Sequence, residues 1–304
     1  KVLKLGEDLG DKENMACAYN DLGNIYRIHG DLDKATKLYK KALNLERDLG
    51  NKEGMAVVYR NFGIIYQMRG DLGKAFEFHQ KALKLDEGLG NKEGIARAYS
   101  NFGIIYQMRG DLGKAFEFHQ KALNLERDFG NKEGIAVVYG NLGLVYQKRG
   151  DLDKAIEFYQ KALKLYEDLG NKEGMAGVYG NFGIIHQTRG DLDKAIEFYQ
   201  KALKLDEELG NKEGMASDYG NFGNIYEMRG DLDKAIEFTQ KALKLYEDLG
   251  NKEGMAGDYS HLGYIYKLQG NKTEAKRSYL KSLELFKQLG SPYVKPVQNV
   301  LNSL

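Results

Sequence analysis

Apolar residues recur at intervals of three and four along residues 171–210. In the first half of this stretch they are Met175, Ala176, Val178, Tyr179, Phe182, Gly183, Ile185 and His186. In the second half they are Leu192, Ala195, Ile196, Phe198, Tyr199, Ala202, Leu203 and Leu205. This spacing places them on one face of a helix, whereas a strand would alternate. The pattern therefore predicts two amphipathic helices of about 17 residues, each about 25 Å long.

Capping residues mark the ends of both predicted helices. Asn171 is a suitable N-cap, and Glu173 lies in the first turn, where the helix dipole favours an acidic side chain. Gly190 is expected to end the first helix in the left-handed conformation. Asp191 follows at once as the N-cap of the second helix. The stretch is therefore predicted to be a helix–turn–helix unit.

The same unit is repeated along the chain without insertions. The tetrapeptide NKEG begins at 51, 91, 131, 171, 211 and 251, and a related DKEN begins at 11. Residues 61–83 are identical to residues 101–123. A single helix pair cannot bury its own apolar face, so neighbouring pairs must stack. We expect an all-α solenoid of antiparallel helix pairs. Its predicted parts are the end of a preceding second helix (1–10), seven units (11–50, 51–90, 91–130, 131–170, 171–210, 211–250 and 251–290) and a C-terminal capping helix (291–304).

The pattern of aromatic and small residues resembles the tetratricopeptide repeat. The matching positions are Tyr179, Phe182, Gly183, His186, Ala195, Tyr199 and Ala202. The unit has 40 residues where the usual repeat has about 34, and Glu207 stands where that repeat has proline. The longer variant resembles the repeats of Leu-Gly-Asn (Pins-type) adaptors and, more loosely, those of kinesin light chain. The resemblance implies a right-handed superhelix that binds a protein or peptide in a groove lined by the first helices.

Composition and charge exclude several classes of partner. The net charge is +1, with 29% charged and 42% hydrophobic residues, so we expect neither nucleic-acid binding nor an anionic membrane surface as partner. No stretch approaches the ~18 consecutive apolar residues of a membrane span. Cys17 is the only cysteine, which excludes an internal disulfide and fits a cytoplasmic location. Because the chain starts mid-repeat at Lys1, we expect it to be part of something longer, and a signal peptide or an upstream domain stays open.

Candidate catalytic chemistry is sparse. His79, His119 and His186 lie at helix-packing positions, His29 lies beside a helix end, and no two histidines have metal-ligand spacing. The sequence GDLGKA at 70–75 lacks the full spacing of a phosphate-binding loop. We therefore expect no enzyme activity, no cofactor and no metal.

A row of side chains, one per repeat, is the main candidate binding feature. The family's groove positions, carried over, are Asn61, Asn101, Asn141, Asn181, Asn221 and His261. A carboxamide can pair with both the N–H and the C=O of an extended peptide. In kinesin light chain and the Leu-Gly-Asn adaptors, asparagines at this place contact bound peptide. The alternative is that these asparagines bond between repeats and fix the stacking.

Two further rows flank this ladder. One is apolar, with Ile64, Ile104, Leu144 and Ile184, and the other is polar, with Gln67, Gln107, Gln147, Gln187 and Glu227. Together they would form an adaptable peptide groove, and the alternative is an unoccupied, mildly apolar surface. Arg60 and Arg97 lie in the first half, and Glu227, Asp218 and Asp258 in the second. This distribution predicts a ligand that is acidic at one end and basic at the other. The two aspartates, however, occupy the position of Val58 and Val178 and so could face a helix joint.

Glycines form a third row at Gly140, Gly180 and Gly220. Glycine inside a helix costs about 1 kcal/mol relative to alanine, so either an open channel for a ligand or close helix packing would explain the row. Taken together, the sequence favours a non-catalytic scaffold that binds protein or peptide. The alternatives are a sensor or docking part of a larger signalling protein, and a scaffold that forms homo-oligomers through the ends of the array.

Overall fold

The structure is a computed structural model that describes residues 10–304, and within that range it contains fifteen α-helices and no strand. The predicted helix end at 1–10 lies, except for Gly10, outside the described residues. The helices are α1 (Lys12–Ile28), α2 (Leu32–Asp48), α3 (Lys52–Met68), α4 (Leu72–Leu89), α5 (Lys92–Met108), α6 (Leu112–Asp128), α7 (Lys132–Lys148), α8 (Leu152–Leu169), α9 (Lys172–Thr188), α10 (Leu192–Leu209), α11 (Lys212–Met228), α12 (Leu232–Leu249), α13 (Lys252–Leu268), α14 (Lys272–Gln288) and α15 (Val294–Asn302). The chain is thus all-α, as predicted, with helices in tandem pairs.

The helix ends follow the local chemistry of the sequence. The Asn171 side chain accepts a hydrogen bond from the N–H of Gly174 at the start of α9. Gly190, after α9, has a φ of +78°, which is the left-handed conformation that glycine adopts without strain. Asp191 caps α10 by position, but its side chain makes no capping hydrogen bond to the backbone. The predicted helix of about 17 residues is confirmed, since the paired helices have 17 or 18.

The core is built from second helices packed between first helices. In one cluster, Ala35, Tyr39 and Ala42 of α2 pack with Phe62 and Ile65 of α3. The small residue of each first helix lets the second helix approach closely. A Cβ added to Gly183 would collide with the ring of Tyr199, and one added to Gly63 would collide with His79. His79 and His119 are fully buried, which confirms that they occupy packing positions.

Two compact units divide the described chain, with the boundary inside α8. Unit 1 extends to Phe158 and contains α1 to α7, and unit 2 runs from Tyr159 to Leu304 and contains α9 to α15. In unit 2, α15 packs its Val297 against Phe286 of α14 and so covers that helix. No helix between residues 10 and 304 is both long enough and apolar enough to cross a membrane.

Candidate peptide-binding face

The first helices of neighbouring repeats lie side by side and leave one face open. In unit 1, α1 contacts α3, and α5 contacts α7. In unit 2, Gln187 Nε2 of α9 lies 3.4 Å from Met228 Sδ of α11. His261 Nε2 of α13 lies 2.7 Å from Glu227 Oε2 of α11. We call the side of these first helices that carries the asparagine row the open face, and describe it separately in each unit.

In unit 1 the asparagines take part in contacts within the protein. Asn61 Nδ2 donates to Asn20 Oδ1 at 2.8 Å, which joins two first helices. Asn101 Nδ2 lies 3.4 Å from His79 Nδ1, on the second helix of the preceding repeat. The backbone carbonyl of Asn141 accepts from Gln107 Nε2 at 3.2 Å. Asn61 and Asn101 thus use their carboxamides within the protein, as the stacking alternative requires, whereas the carboxamide of Asn141 makes no hydrogen bond within residues 10–304.

In unit 2 two asparagines differ from Asn61 and Asn101. Asn181 and Asn221 are half-buried, and their carboxamides make no hydrogen bond to any residue between 10 and 304. His261, at the next position of the row, is held inside the protein: its Nδ1 lies 3.3 Å from Thr239 Oγ1, and its Nε2 faces Glu227. The carboxamides of Asn181 and Asn221 thus have no hydrogen-bond partner in the part of the chain that the structure describes.

Two glutamines of the row connect a first helix to the second helix of the same repeat. Gln67 Oε1 lies 3.1 Å from His79 Nε2, and Gln187 Oε1 accepts from the Tyr199 hydroxyl at 2.9 Å. Gln107 is buried, and Gln147 is half-buried. The buried polar partners on the second helices were not predicted as part of the site. Their signal in the sequence is a histidine or tyrosine at a position that packs against glycine.

Apolar side chains are exposed beside the amides. Ile64, Ile104 and Leu144 are half-buried, and Ile184 is exposed. Met68 and Met108, one turn further along α3 and α5, and Met228 at the end of α11 are about half exposed. Methionine is flexible and polarisable, so such a surface adapts to different apolar groups.

The two arginines of the predicted site have different surroundings. The Arg60 guanidinium donates to Asp86 Oδ2 at 2.6 Å, and the two side chains are 12% and 0% exposed. Burial lowers the pKa of Arg60 and raises the pKa of Asp86, in each case against the effect of the partner's charge. Arg97 is exposed and lies 2.5 Å from Glu93 one turn away. Arg60 therefore directs its charge into the protein, and Arg97 directs its charge to solvent.

Two acidic residues of unit 2 lie at the helix joints, where Asp218 is buried and Asp258 is half-buried. Asp218 hydrogen-bonds to Asp206 of α10, and burial, together with the Asp206 charge, raises the pKa of Asp218 to about 8. Burial raises the pKa of Asp258 to about 7. The Oδ2 atom of each has no hydrogen-bond partner within residues 10–304. Asp218 thus lies against a second helix, where the sequence had suggested a helix joint.

The glycine row faces free space. A Cβ added to Gly140, Gly180 or Gly220 would meet no atom within 4 Å. These glycines are therefore not explained by close helix packing, in contrast to Gly183 one turn later in α9. Within residues 10–304, no group of three or more His, Cys, Asp or Glu side chains could hold a metal ion.

Solved structures with the same fold include proteins of several kinds. The Rap conjugation gene regulator of plasmid pLS20, in complex with the Phr* peptide, is 17% identical over 100% of this chain and 79% of its own, with a TM-score of 0.72. Aspartyl phosphate phosphatase F from Bacillus subtilis is 15% identical over 92% of this chain and 73% of its own, with a TM-score of 0.66. A signal transduction ATPase with a tetratricopeptide repeat sensor, PH0952 from Pyrococcus horikoshii, is 19% identical over 95% of this chain, with a TM-score of 0.64. This chain covers only 44% of that ATPase. At these identities the likeness is one of fold.

Sequence comparison is decisive for the family. A search of curated protein sequences found no match to this chain. A family model described as tetratricopeptide repeat matches residues 14–88, 93–168 and 174–248, and a second model with the same description matches residues 259–288. Since these matches cover most of the chain, the protein belongs to the tetratricopeptide repeat family.

Proposed function

We propose that the open face binds an extended segment of a protein or peptide, and that the chain is a non-catalytic binding scaffold. The observation that carries this proposal is the pair Asn181 and Asn221, whose carboxamides have no partner in the protein. A carboxamide offers two donors and an acceptor, which match the N–H and C=O groups of a peptide backbone. The exposed Ile184 and Met228 lie on the same two helices and would hold an apolar side chain of the ligand.

The comparisons support this proposal at the level of the fold. Tetratricopeptide repeats present rows of first helices, and the Rap regulator of pLS20, similar along the whole chain, was solved with a peptide bound. The ligand, its direction on the open face and its partner protein belong to the proposal. The further part of the proposal is that nucleic acid and membranes are not partners, which the near-neutral net charge of +1 supports.

Paired variants test the proposal, because the row contains both free and engaged asparagines. A peptide-display selection would be run on the protein, on Asn181→Ala/Asn221→Ala and on Asn61→Ala/Asn101→Ala. We expect the first pair to fold with nearly unchanged stability and to lose the selected motif. We expect the second pair to lose stability, because it breaks contacts between repeats. If the first pair retained the motif at full affinity, the ligand would bind elsewhere and the proposed role of these amides would be wrong.

Two other functions remain as alternative proposals. The first is a sensor or docking domain of a larger signalling protein, and the fold of the Pyrococcus horikoshii ATPase sensor gives it a structural parallel. The second is a scaffold that self-associates through the ends of the array. Light scattering over a range of concentrations distinguishes the second from the other two, because only self-association raises the mass with concentration.

A further inference from the structure

The repeat at 51–90 contains a buried arginine–aspartate pair, which shows how a repeat of this chain binds a guanidinium. Arg60 starts from the open face of α3 and reaches Asp86 near the end of α4, with 2.6 Å between its terminal nitrogen and Asp86 Oδ2. The other oxygen, Asp86 Oδ1, accepts from Asn91 Nδ2 at 2.9 Å. The asparagine thus fixes the carboxylate and leaves one oxygen for the guanidinium.

The repeat at 171–210 has the corresponding aspartate, followed by the corresponding asparagine, but it lacks the arginine. Asp206 stands 120 residues after Asp86, is 5% exposed, and its Oδ1 accepts from Asn211 Nδ2 at 2.7 Å. The residue 120 after Arg60 is Gly180, and a Cβ added there would meet no atom within 4 Å. The carboxylate and its asparagine are therefore in place, and the path that the arginine side chain follows in the other repeat begins in open space.

A second carboxyl group lies at the same point. Asp218, on the next first helix, is 4% exposed, hydrogen-bonds to Asp206 and has one oxygen without a partner. At the corresponding position beside Asp86 the chain has Ala98, which is also buried. Within residues 10–304, no cationic side chain pairs with Asp206 or Asp218. The other titratable groups that interact electrostatically with them are Tyr199, with Asp218, and Glu173, with Asp206. Two buried carboxyl groups without a cation are costly, and pairing with a cation would relieve that cost.

We propose that Asp206 and Asp218 bind the guanidinium of an arginine in the ligand, whose side chain passes over Gly180 along the path that Arg60 takes in its own repeat. The inference rests on the proposed function, since it names a side chain of the segment bound to the open face. Arginine fits better than lysine, because a planar guanidinium can donate to two carboxylates at once. Burial raises the pKa of both carboxyl groups in the free protein, and a bound guanidinium would favour release of the Asp218 proton to solvent.

The chain offers a matched control for this site. Gly140 stands in the same row as Gly180 and is equally open, but the position of Asp206 in that repeat is taken by Tyr166, and the position of Asp218 in the next repeat is taken by Val178. An arginine introduced at 140 would gain the same helix propensity, and the chain has no carboxyl group at either corresponding position. Comparison of Gly180→Arg with Gly140→Arg therefore separates the ion pair from the effect of replacing a helical glycine.

The first test uses a blocked pentapeptide with a central arginine flanked by glycines, and matched peptides with citrulline or lysine in its place. Binding would be followed by the carboxyl ¹³C resonances of Asp206 and Asp218. We expect the arginine peptide to shift both resonances and to bind at least ten times more tightly than the citrulline peptide. Asp206→Asn should remove that preference. Equal affinity for the arginine and citrulline peptides, or shifts that avoid both aspartates, would overturn the proposal.

The second test places the guanidinium within the protein. Gly180→Arg should abolish the preference for the arginine peptide and should raise the melting temperature at pH 8 more than Gly140→Arg does, and Asp206→Asn should cancel the difference. An equal effect of the two arginine variants would count against the site. A display motif that depends on Asn181 and Asn221 but contains no arginine would leave the scaffold function standing without this site. Conversely, if the arginine peptide bound at Asp206 and Asn181→Ala/Asn221→Ala left its affinity unchanged, the arginine site would stand and the proposed role of the two amides would fail.

Discussion

Replacing Asp218 by valine is expected to stabilise the protein at neutral pH and to change how its stability depends on pH. Valine occupies the equivalent positions 58, 138 and 178, where it is 1–3% exposed, so it fits this frame. Asp218 is 4% exposed, and its pKa rises from 3.8 to about 8 because of burial first and the Asp206 charge second. The folded protein therefore retains a proton that the unfolded chain releases.

The sign and size of the effect follow from this retained proton. Because the pKa of Asp218 is higher in the folded state, its contribution to stability is complete below pH 3.8 and is lost as the pH rises to about 8. One proton gives a slope of about 1.4 kcal/mol per pH unit, which amounts to a loss of about 4 kcal/mol between pH 4 and pH 7. Asp218→Val removes this slope and adds buried apolar surface. Asp218→Asn should also remove the slope, with a smaller gain, because a buried amide without partners remains.

Denaturant unfolding followed by circular dichroism from pH 5 to pH 8.5 would measure these slopes. Repeat arrays unfold as a sum of local terms, so hydrogen exchange of peptides from α10 and α11 should be recorded in parallel. The gain should be concentrated in these two helices and should grow with pH. A slope that stays unchanged in both variants, or a valine variant less stable than the parent at pH 8, would refute the argument.

Three further predictions can be checked by the same unfolding measurements. Changing Gly140, Gly180 and Gly220 together to alanine should stabilise the protein by roughly 2–3 kcal/mol through helix propensity, whereas Gly183→Ala should destabilise it because the added methyl group collides with Tyr199. Arg60→Ala should cost about 3–5 kcal/mol because it leaves the buried Asp86 without its cation, while Arg97→Ala, in an exposed pair with Glu93, should cost about 0.5 kcal/mol or less. Burial lowers the pKa of His119 from 6.5 to about 4, so its contribution is present above pH 6.5 and is lost as the pH falls through 4, and His119→Tyr should flatten this acid limb. Equal losses for the two arginine variants, or an acid limb that stays unchanged in His119→Tyr, would contradict the last two.

The helices and their ends could be predicted because they depend on local chemistry that the chain repeats. The N-cap Asn171 and the left-handed Gly190 need only a few neighbouring residues to take up their conformations. The packing role of His79 and His119 could also be predicted, because other repeats have tyrosine at the same position. For these features the residues at one structural position can be compared across all the repeats.

The partners of the polar side chains could not be predicted, because they depend on neighbouring repeats. Residues 61–83 and 101–123 are identical, yet their glutamines differ in the structure. Gln67 faces the ring of His79, whereas Gln107 donates to the carbonyl of Asn141 and leaves both ring nitrogens of His119 without a partner. The same residues thus have alternative hydrogen bonds of similar quality. A pattern in the sequence can place such a row on one face of a helix but cannot assign its bonds.

The repeats also show which departures from the common pattern need an explanation beyond packing. Gly180 weakens its helix by about 1 kcal/mol and leaves open space where a side chain would begin, and Asp218 places a carboxyl group where three other repeats bury valine. Neither change improves the folded chain by itself. Asp218 lies against Asp206, and Gly180 stands in its repeat where Arg60, which pairs with the counterpart Asp86, stands in another. A guanidinium from outside would use the space left by the glycine and the charge of the second aspartate. Under the proposal made above, ligand binding at Asp206 and Asp218 accounts for costs that folding alone leaves unexplained.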